Sequence, residues 1–372
     1  MKTGIITFHF VNNFGGALQA YALQQTIEKH FHSSVEILDY KNSFIQFTDA
    51  VRLFPISGNP REIATGMKTM RERFGRRGKF QKFRQEKMHL SPVRYHHRRL
   101  KSKPPEADVY ICGSDQIWNP FLTFGVKGAY FLDFVKEDKK KIAYAPSFGK
   151  IRLFPLFRKS VQAYLNDFDA VSVREKTGIN IVKGLVDKDV KQLIDPVFLL
   201  SKEEWEDAAA DIPCKKPYLL LYIMQSDNTV YNYVKTLKKK TGLRVVEISR
   251  YGYNPGFVDE TLVDLGPAEF LGLFRNADFI CTNSYHGFIF SLIFEKRFCL
   301  IPCRRFRTRI YNLADLLSIN IVETKAEEAG DTHYDAELVR SRIGYEKKKA
   351  LKWLGKTYGT GESADGSPRR QY

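Results

Sequence analysis

Two periods of apolar residues run through the chain. Short, nearly continuous apolar runs read as buried strands. Stretches in which apolar residues recur every third or fourth position read as helices. Residues 3–10 form the first such run; Gly15-Gly16 then turn the chain into a helix with Leu18, Ala22, Leu23 and Ile27 on one side. Residues 34–40, Ser-Val-Glu-Ile-Leu-Asp-Tyr, make a second strand. A strand–helix–strand opening predicts a parallel sheet. Runs at 107–112, 141–145 and 170–173 continue it, with a helix over 155–166 and Arg174 at the carboxyl end of the 170–173 strand. Residues 192–200 add an apolar stretch, followed by a short helix over 202–209.

Asp211-Ile212-Pro213-Cys214-Lys215-Lys216-Pro217 interrupts this pattern as a linker, and the pattern then restarts. Strands at 218–224, 244–248, 278–282 and 297–301 alternate with helices at 228–240, 267–276 and 284–295. Pro267 suits the first position of its helix. A last helix over 335–354 carries alternating charges, and from Gly359 the chain is Gly/Ser-rich and expected to be disordered. There is no internal repeat. The predicted fold class is α/β, with two Rossmann-like domains whose parallel sheets face each other across a cleft. The expected divisions are 1–212, with an insertion at 50–103, then 213–330, a C-terminal helix at 331–358 and a tail at 359–372. Ligands of such folds sit at the carboxyl edges of the strands, where helix N-termini present unpaired N–H groups.

Charge changes this picture in one place. The net charge is +17, and residues 68–103 hold fourteen Lys/Arg against Glu72 and Glu86, most of the excess. Such a block attracts polyanions: nucleic acid, anionic lipid or a pyrophosphate-linked substrate. Gly58-Asn59-Pro60 and Gly75/Gly78 suggest helices joined by loops, and Phe74, Phe80, Phe83 and Met88 recur at loosely helical spacing. A basic helix lying on a membrane and a solvated basic insertion both fit that pattern. The N-terminal run is broken by His9 and Asn12-Asn13, so a strand and glycine turn are expected rather than a targeting segment. No run approaches the roughly 20 apolar residues of a membrane span. Cys112, Cys214, Cys281, Cys299 and Cys303 show neither zinc spacing nor a disulfide framework, which fits a reducing cytoplasm. Hydrophobic residues make up 43%, enough to exclude wholesale disorder.

Several turns carry candidate chemistry. In Phe279-Ile280-Cys281-Thr282-Asn283-Ser284-Tyr285-His286-Gly287 a buried strand ends in a polar turn that opens an apolar helix. Asn283 or Ser284 would cap that helix, and His286 would stand at its positive end, able to donate a proton to an anion held there. A capping turn with an incidental histidine is the plainer alternative. Arg174 can hold a carboxylate or phosphate through two parallel hydrogen bonds, or simply pair with Glu175. Arg304, Arg305, Arg307 and Arg309 follow the 297–301 strand and would face the same cleft. Gly113-Ser114-Asp115-Gln116-Ile117-Trp118-Asn119-Pro120 sets an indole beside Asp, Gln and Asn, which suits a sugar, though a structural turn around a buried Trp reads equally well. Asp39, beyond the Asn12–Gly16 turn, could imitate a nicotinamide site, but the G-x-G-x-x-G pattern is missing.

Taken together, these motifs resemble the polysaccharide pyruvyl transferase family. The matching segments are Asn12-Asn13-Phe14-Gly15-Gly16-Ala17-Leu18-Gln19-Ala20-Tyr21-Ala22-Leu23, Gly113 to Asn119, Asp195-Pro196 with Leu199-Leu200, and Asn283 to Gly287 with Phe290-Ser291. The resemblance covers roughly residues 1–320, with 50–103 poorly matched. It implies a GT-B-like fold and transfer of pyruvate from phosphoenolpyruvate onto a sugar as a ketal. Phosphoenolpyruvate would be the donor substrate, with no cofactor and no metal. By similarity Arg174 and His286 match donor-site positions, joined by Asn283, Ser284, Gly287 and either Arg309 or Arg305. The acceptor side would be Asn13, Gly15, Gly16, Ser114, Asp115, Gln116, Trp118 and Asn119. The expected partner is a glycan acceptor, with an undecaprenyl-diphosphate-linked one and membrane contact through 68–103 left open. No nucleic acid is expected, and the location is the cytoplasm or the inner face of the cell membrane. The competing readings are a nucleotide-sugar glycosyltransferase and a polyanion-binding protein built around 68–103.

Overall fold

The computed structural model describes residues 1–51, 64, 67–225, 228–301, 307–322 and 325–359. Strands β1 (Lys2–Ile6), β2 (Ser34–Tyr40), β3 (Leu90–Tyr95), β4 (Val109–Cys112), β5 (Lys140–Ala143), β6 (Ala170–Val173) and β7 (Val190–Gln192) make one sheet, ordered β3-β2-β1-β4-β5-β6-β7. Strands β8 (Tyr218–Tyr222), β9 (Arg244–Ile248), β10 (Glu260–Leu262), β11 (Phe279–Thr282) and β12 (Phe298–Leu300) make a second, ordered β10-β9-β8-β11-β12. Every pairing in both sheets is parallel. The central strands are buried on both faces, as in Tyr218-Leu219-Leu220-Leu221-Tyr222, because helices cover both sides. Strand order reverses between β1 and β4, and again between β8 and β11. Crevices open at such reversals, above the carboxyl ends of the strands.

The helices are α1 (Phe14–Phe31), α2 (Ser43–Val51), α3 (Met70–Lys87), α4 (His97–Ser102), α5 (Pro120–Thr123), α6 (Pro155–Asn166), α7 (Lys176–Lys183), α8 (Lys202–Ala208), α9 (Asn228–Thr241), α10 (Pro267–Asn276), α11 (Tyr285–Ile293), α12 (Arg307–Leu316) and α13 (Ala336–Tyr358). Local signals set several of their starts. Ser201 and Glu204 form a reciprocal capping box at α8, and Pro267 occupies the first turn of α10. Helix α13 returns to the N-terminal sheet. There the Tyr358 hydroxyl lies 3.0 Å from that of Thr3, and its ring stacks on Phe31 at 4.8 Å.

Two expectations fail in instructive ways. Strand β1 ends at Ile6, and residues 7–13 turn over the sheet edge instead of extending it. Side-chain bonds replace the ladder there: Gln19 Nε2 donates to Thr7 Oγ1 at 2.9 Å, and Thr7 Oγ1 donates to Ser114 O at 3.3 Å. The basic segment is not a detached insertion either. Its residues 90–95 add edge strand β3, and α3 bridges the two sheets. Lys79 Nζ reaches Glu269 at 3.1 Å and donates to Asp264 O at 2.9 Å, and Arg76 Nη1 donates to Ser249 O at 3.3 Å. Phe80, Phe83 and Met88 are buried in the core, leaving Phe74 as the exposed member of the four. The apolar residues a membrane-lying helix would insert are therefore already packed. The Gly58-Asn59-Pro60 turn and the tail beyond Gly359 lie outside the described residues.

The two halves share one apolar cluster. Phe14, from the first βα turn, stacks on Phe270 of α10 at 4.3 Å and lies 5.1 Å from Phe80 of α3. The Arg76 guanidinium sits 4.6 Å above the same ring. Burying a Phe side chain contributes about 1.5–3 kcal/mol, so this contact helps hold the domains at a fixed separation across the cleft.

Candidate active site in the interdomain cleft

Four strand-end loops meet between the sheets: those after β1, β4, β8 and β11. They surround a cleft of about 490 Å³ lined by Asn12, Asn13, Asp115, Gln116, Ser284, Tyr285, His286 and Arg309, among others. Arg76 and Arg250 also line it, and among the described lining residues Asp115 is the single acid. Three arginines against one aspartate favour an anion in this space.

His286 is the most pointed group in the wall. Ser284 caps α11 by accepting from Gly287 N at 3.3 Å, which sets His286 in the first turn at the positive end of the helix. The His286 ring is buried and its Nε2 has no hydrogen-bond partner among the described residues. The nearest carboxylate oxygen, Asp195 Oδ2, is 3.9 Å away, too far for a hydrogen bond. Burial lowers the pKa of His286 below its ordinary value, with Arg174 and Arg309 adding to the effect and Asp195 and Asp115 opposing it. The imidazole is thus neutral near pH 7.

Gly15 explains how the ring is placed. A Cβ at that position would fall 2.0 Å from His286 Nδ1, so the first turn of α1 packs directly on the imidazole across the domain boundary. Gly15→Ala is expected to displace the ring or open the cleft, at a cost of about 1–3 kcal/mol from overpacking. Denaturant unfolding and turnover measured on the same variant check this; wild-type values in both would show that the contact is unimportant.

Arg174 stands behind the cleft wall rather than in it. Its guanidinium is buried, with Nη1 donating to Asp195 at 2.7 Å and Nε donating to Glu175 at 3.1 Å. It lies 4.5 Å from the Tyr285 ring centre, and Arg309 lies 5.5 Å from the same ring. Nη2 makes no hydrogen bond among the described residues and sits 3.8 Å from Asp115 Oδ1, on the cleft side. Burial would lower the Arg174 pKa, but Tyr285, Glu175, Asp195 and Asp115 outweigh it and hold the value raised. Burial keeps the Tyr285 hydroxyl neutral, so near pH 7 the carboxylates supply that effect. Arg309 is pulled the other way, first by burial and then by Arg174 beside it. An anion between these like charges would relieve both.

The other predicted residues divide clearly. Asn13 caps α1, accepting from Gly16 N at 3.1 Å, and also lines the cleft with Asp115 and Gln116. Ser114 does not line it: its hydroxyl donates to Ala145 O at 2.7 Å and its N–H to Gln19. Asn119 caps α5, accepting from Phe121 N at 3.1 Å. Trp118 is the clearest correction. It is 2% exposed, stacks on Phe131 at 4.9 Å and donates its indole N–H to Tyr130 O, so no face remains for a sugar. Asn283 does not cap α11; it accepts from Met224 N at 2.7 Å and donates to Gln225 O, tying the β8 and β11 loops together. Gly16 and Gly287 are buried, and a Cβ on Gly287 would strike Thr282 Oγ1 at 2.3 Å. Cys303, Arg304 and Arg305 lie outside the described residues, as does the Arg307 side chain.

Sequence reasoning missed Arg76, Arg250 and Tyr285. Arg250 follows the end of β9 much as Arg174 follows β6, so its position offered a signal. Arg76 offered none, because only the tertiary path of α3 brings it to the cleft. A second cavity, of about 350 Å³, opens on the other side of Asn12 and is lined by His9, Asp39, Lys41, Arg77, Arg84 and Arg94. Asp39 anchors its cations: Lys41 lies 3.5 Å and Arg94 3.4 Å from its oxygens, and His9 and Lys41 help hold its pKa down at about 2 despite burial. Among the described residues no group of three or more His, Cys, Asp or Glu is arranged to hold a metal ion, and no helix is long and apolar enough to cross a membrane.

Comparison with solved structures bears on the fold. A putative UDP-N-acetylglucosamine 2-epimerase from Listeria monocytogenes superposes with a TM-score of 0.52 at 11% identity, over 97% of each chain. The glycosyltransferase SnogD from Streptomyces nogalater gives a TM-score of 0.46 at 12% identity, over 96% of this chain and 99% of its own. At such identities the likeness concerns the GT-B-like fold alone. No curated protein matches the sequence significantly. The polysaccharide pyruvyl transferase family model, however, matches residues 13–304, from the cap of α1 through the whole second sheet, and takes in the cleft-lining loops after β4, β8 and β11. The chain belongs to the polysaccharide pyruvyl transferase family.

Proposed function

We propose that the protein transfers pyruvate from phosphoenolpyruvate to two hydroxyls of a glycan, forming a ketal. The observation that carries this reading is the unpartnered, buried Nε2 of His286 beside Arg309, at the start of α11 and facing an acceptor wall of Asn13, Asp115 and Gln116. Phosphoenolpyruvate is a trianion with a carboxylate and a phosphate. Arg309, the first turn of α11 and the Arg174 Nη2 behind them would hold its two ends. Protonation of the methylene carbon makes an oxocarbenium-like centre at the neighbouring carbon. One sugar hydroxyl attacks that centre, the C–O bond to phosphate breaks, and the second hydroxyl closes the ring. Of the two hydroxyl protons, one balances the new methyl group and the other leaves with phosphate. The donor's negative charge would protonate His286, which then supplies the acid for the carbon or for the departing phosphate.

The test is incubation with phosphoenolpyruvate and candidate glycans, following phosphate release and the ketal methyl signal by NMR. Phosphate and ketal in equal amounts support the reading. Turnover of a UDP-sugar with no ketal under any acceptor would replace it with glycosyl transfer.

The second cavity supports an acceptor that carries an anionic linker such as a diphosphate. Burial pulls the Lys41 ammonium down, with Arg94 and Arg84 adding to it against Asp39, so an added anion would be welcome there. Arg77→Glu is expected to raise KM for a diphosphate-linked acceptor about tenfold, by losing one attraction and adding one repulsion. KM for the same glycan without the linker should stay unchanged. Equal effects on both acceptors would assign the cavity to another role.

A further inference from the structure

We infer that the surface formed by residues 150–159 together with Phe121 and Phe124 docks the protein on an anionic lipid bilayer, with the cleft mouth beside the lipid headgroups. The segment reads Lys150-Ile151-Arg152-Leu153-Phe154-Pro155-Leu156-Phe157-Arg158-Lys159. It joins the loop after β5 to the first turn of α6. Leu156 is 77% exposed, Ile151 64% and Phe154 59%, and on neighbouring α5 and its C-cap Phe121 is 59% and Phe124 65% exposed. These residues form one surface. Phe121 and Phe157 meet edge to face at 6.3 Å, Lys150 Nζ lies 5.3 Å above the Phe121 ring, and Phe124 stacks on Phe44 at 4.4 Å.

An exposed apolar patch of this size on a folded domain marks an interaction surface. Its charges identify the partner. Lys150, Arg152, Arg158 and Lys159 are all exposed, and no Asp or Glu occurs between Lys139 and Asp167. Large apolar side chains interleaved with cations suit the headgroup boundary, where the rings and aliphatic chains enter the acyl region and the cations meet anionic phosphates. The shape fits as well. Leu153 is buried and Phe157 half-buried, and they anchor the segment so that Ile151, Phe154 and Leu156 project from a braced turn rather than line a groove. Helix α3, although more basic, has given two of its three phenylalanines to the core.

The patch adjoins the cleft: Phe121 belongs to both, and Phe44, stacked on Phe124, and Leu122, next to Phe121, line the cleft. A protein seated on this face would hold its cleft where a membrane-anchored glycan can reach it. Only that orientation rests on the pyruvyl-transfer reading; the docking itself does not.

The experiment is flotation of the full-length protein with phosphatidylcholine vesicles, with and without phosphatidylglycerol. Wild type is expected to float with the anionic vesicles and release at high salt. The pair Phe154→Ser/Leu156→Ser and the pair Lys150→Glu/Arg152→Glu should each weaken binding about tenfold or more. Lys82→Glu, on the exposed side of α3, should leave it within about twofold. Circular dichroism melts confirm that each variant is folded. Binding no tighter to anionic than to neutral vesicles overturns the proposal, and so does wild-type binding by the serine pair. A concentration-dependent dimer that the serine pair abolishes, with no vesicle binding, would assign the patch to a second copy of the chain and also overturn it. Loss of ketal formation with every acceptor, alongside intact flotation, would count against the catalytic reading alone.

Discussion

Replacing His286 with Asn is expected to lower kcat about 10²–10⁴-fold while leaving the fold intact. Asparagine keeps a polar group near the Gly15 face but cannot supply a proton at neutral pH. The pH profile should separate this from a general loss of packing. In the free protein the His286 pKa lies below its ordinary value of 6.5, because burial disfavours the cation. A reaction that needs the imidazolium should then show kcat/KM for phosphoenolpyruvate falling as pH rises, with its break below 6.5. The bound trianion raises the same pKa, so the break in kcat should come at higher pH. His286→Asn should remove both breaks. Stability follows from the same shift. A histidine whose folded pKa is lowered costs stability as pH falls below its unfolded value, since the unfolded chain then binds the extra proton. The variant should therefore lose less stability than wild type between pH 7 and pH 5. Retention of near-normal turnover by His286→Asn would falsify the assignment.

Removing the charge of Arg174 is expected to cost about 3–5 kcal/mol of stability, because it strands buried carboxylates without their counter-ion. Asp195 is 0% exposed and Glu175 3%, and the same guanidinium holds both. Arg174→Met in urea unfolding measures the loss. Arg174→Met/Asp195→Asn should regain part of it, since the second change removes one stranded charge. Arg174→Lys keeps a charge but cannot bond Asp195 and Glu175 at once while pointing a third N–H toward Asp115. It should fold, with KM for the donor raised more than kcat is lowered if Nη2 reaches the donor. If the single Met variant unfolds like wild type, the carboxylates have another counter-ion.

Much of the cleft was legible one element at a time. Asn283-Ser284-Tyr285-His286-Gly287 reads as a strand end, a cap and a helix start, and His286 stands where that reading puts it. What a side chain faces was less legible. Trp118 follows Asp115 and Gln116 by two or three positions, yet it turns into the core against Phe131 while they line the cleft. Asn283 and Ser284 are equally good caps by residue type, and packing of the β8 loop decides between them. Arg174 was legible as a strand-end cation. Its pairing with the adjacent Glu175 was legible too; its setting against Asp195 and Tyr285 was not, since those two come from distant parts of the chain.

The pattern of apolar runs by itself determined the class of the fold and the turn that carries His286. Those features depend on period and on local capping, which are properties of neighbouring residues. Tertiary structure alone decided that the basic segment adds an edge strand and that its long helix bridges the two sheets, that Trp118 is core, and that Gly15 of one domain shapes the pocket of His286 in the other. Each depends on contacts between residues far apart in sequence, where burial is set by whatever surface happens to arrive opposite. Local periodicity carries no record of that arrival, and for His286 it is the arrival of α1 that completes the site.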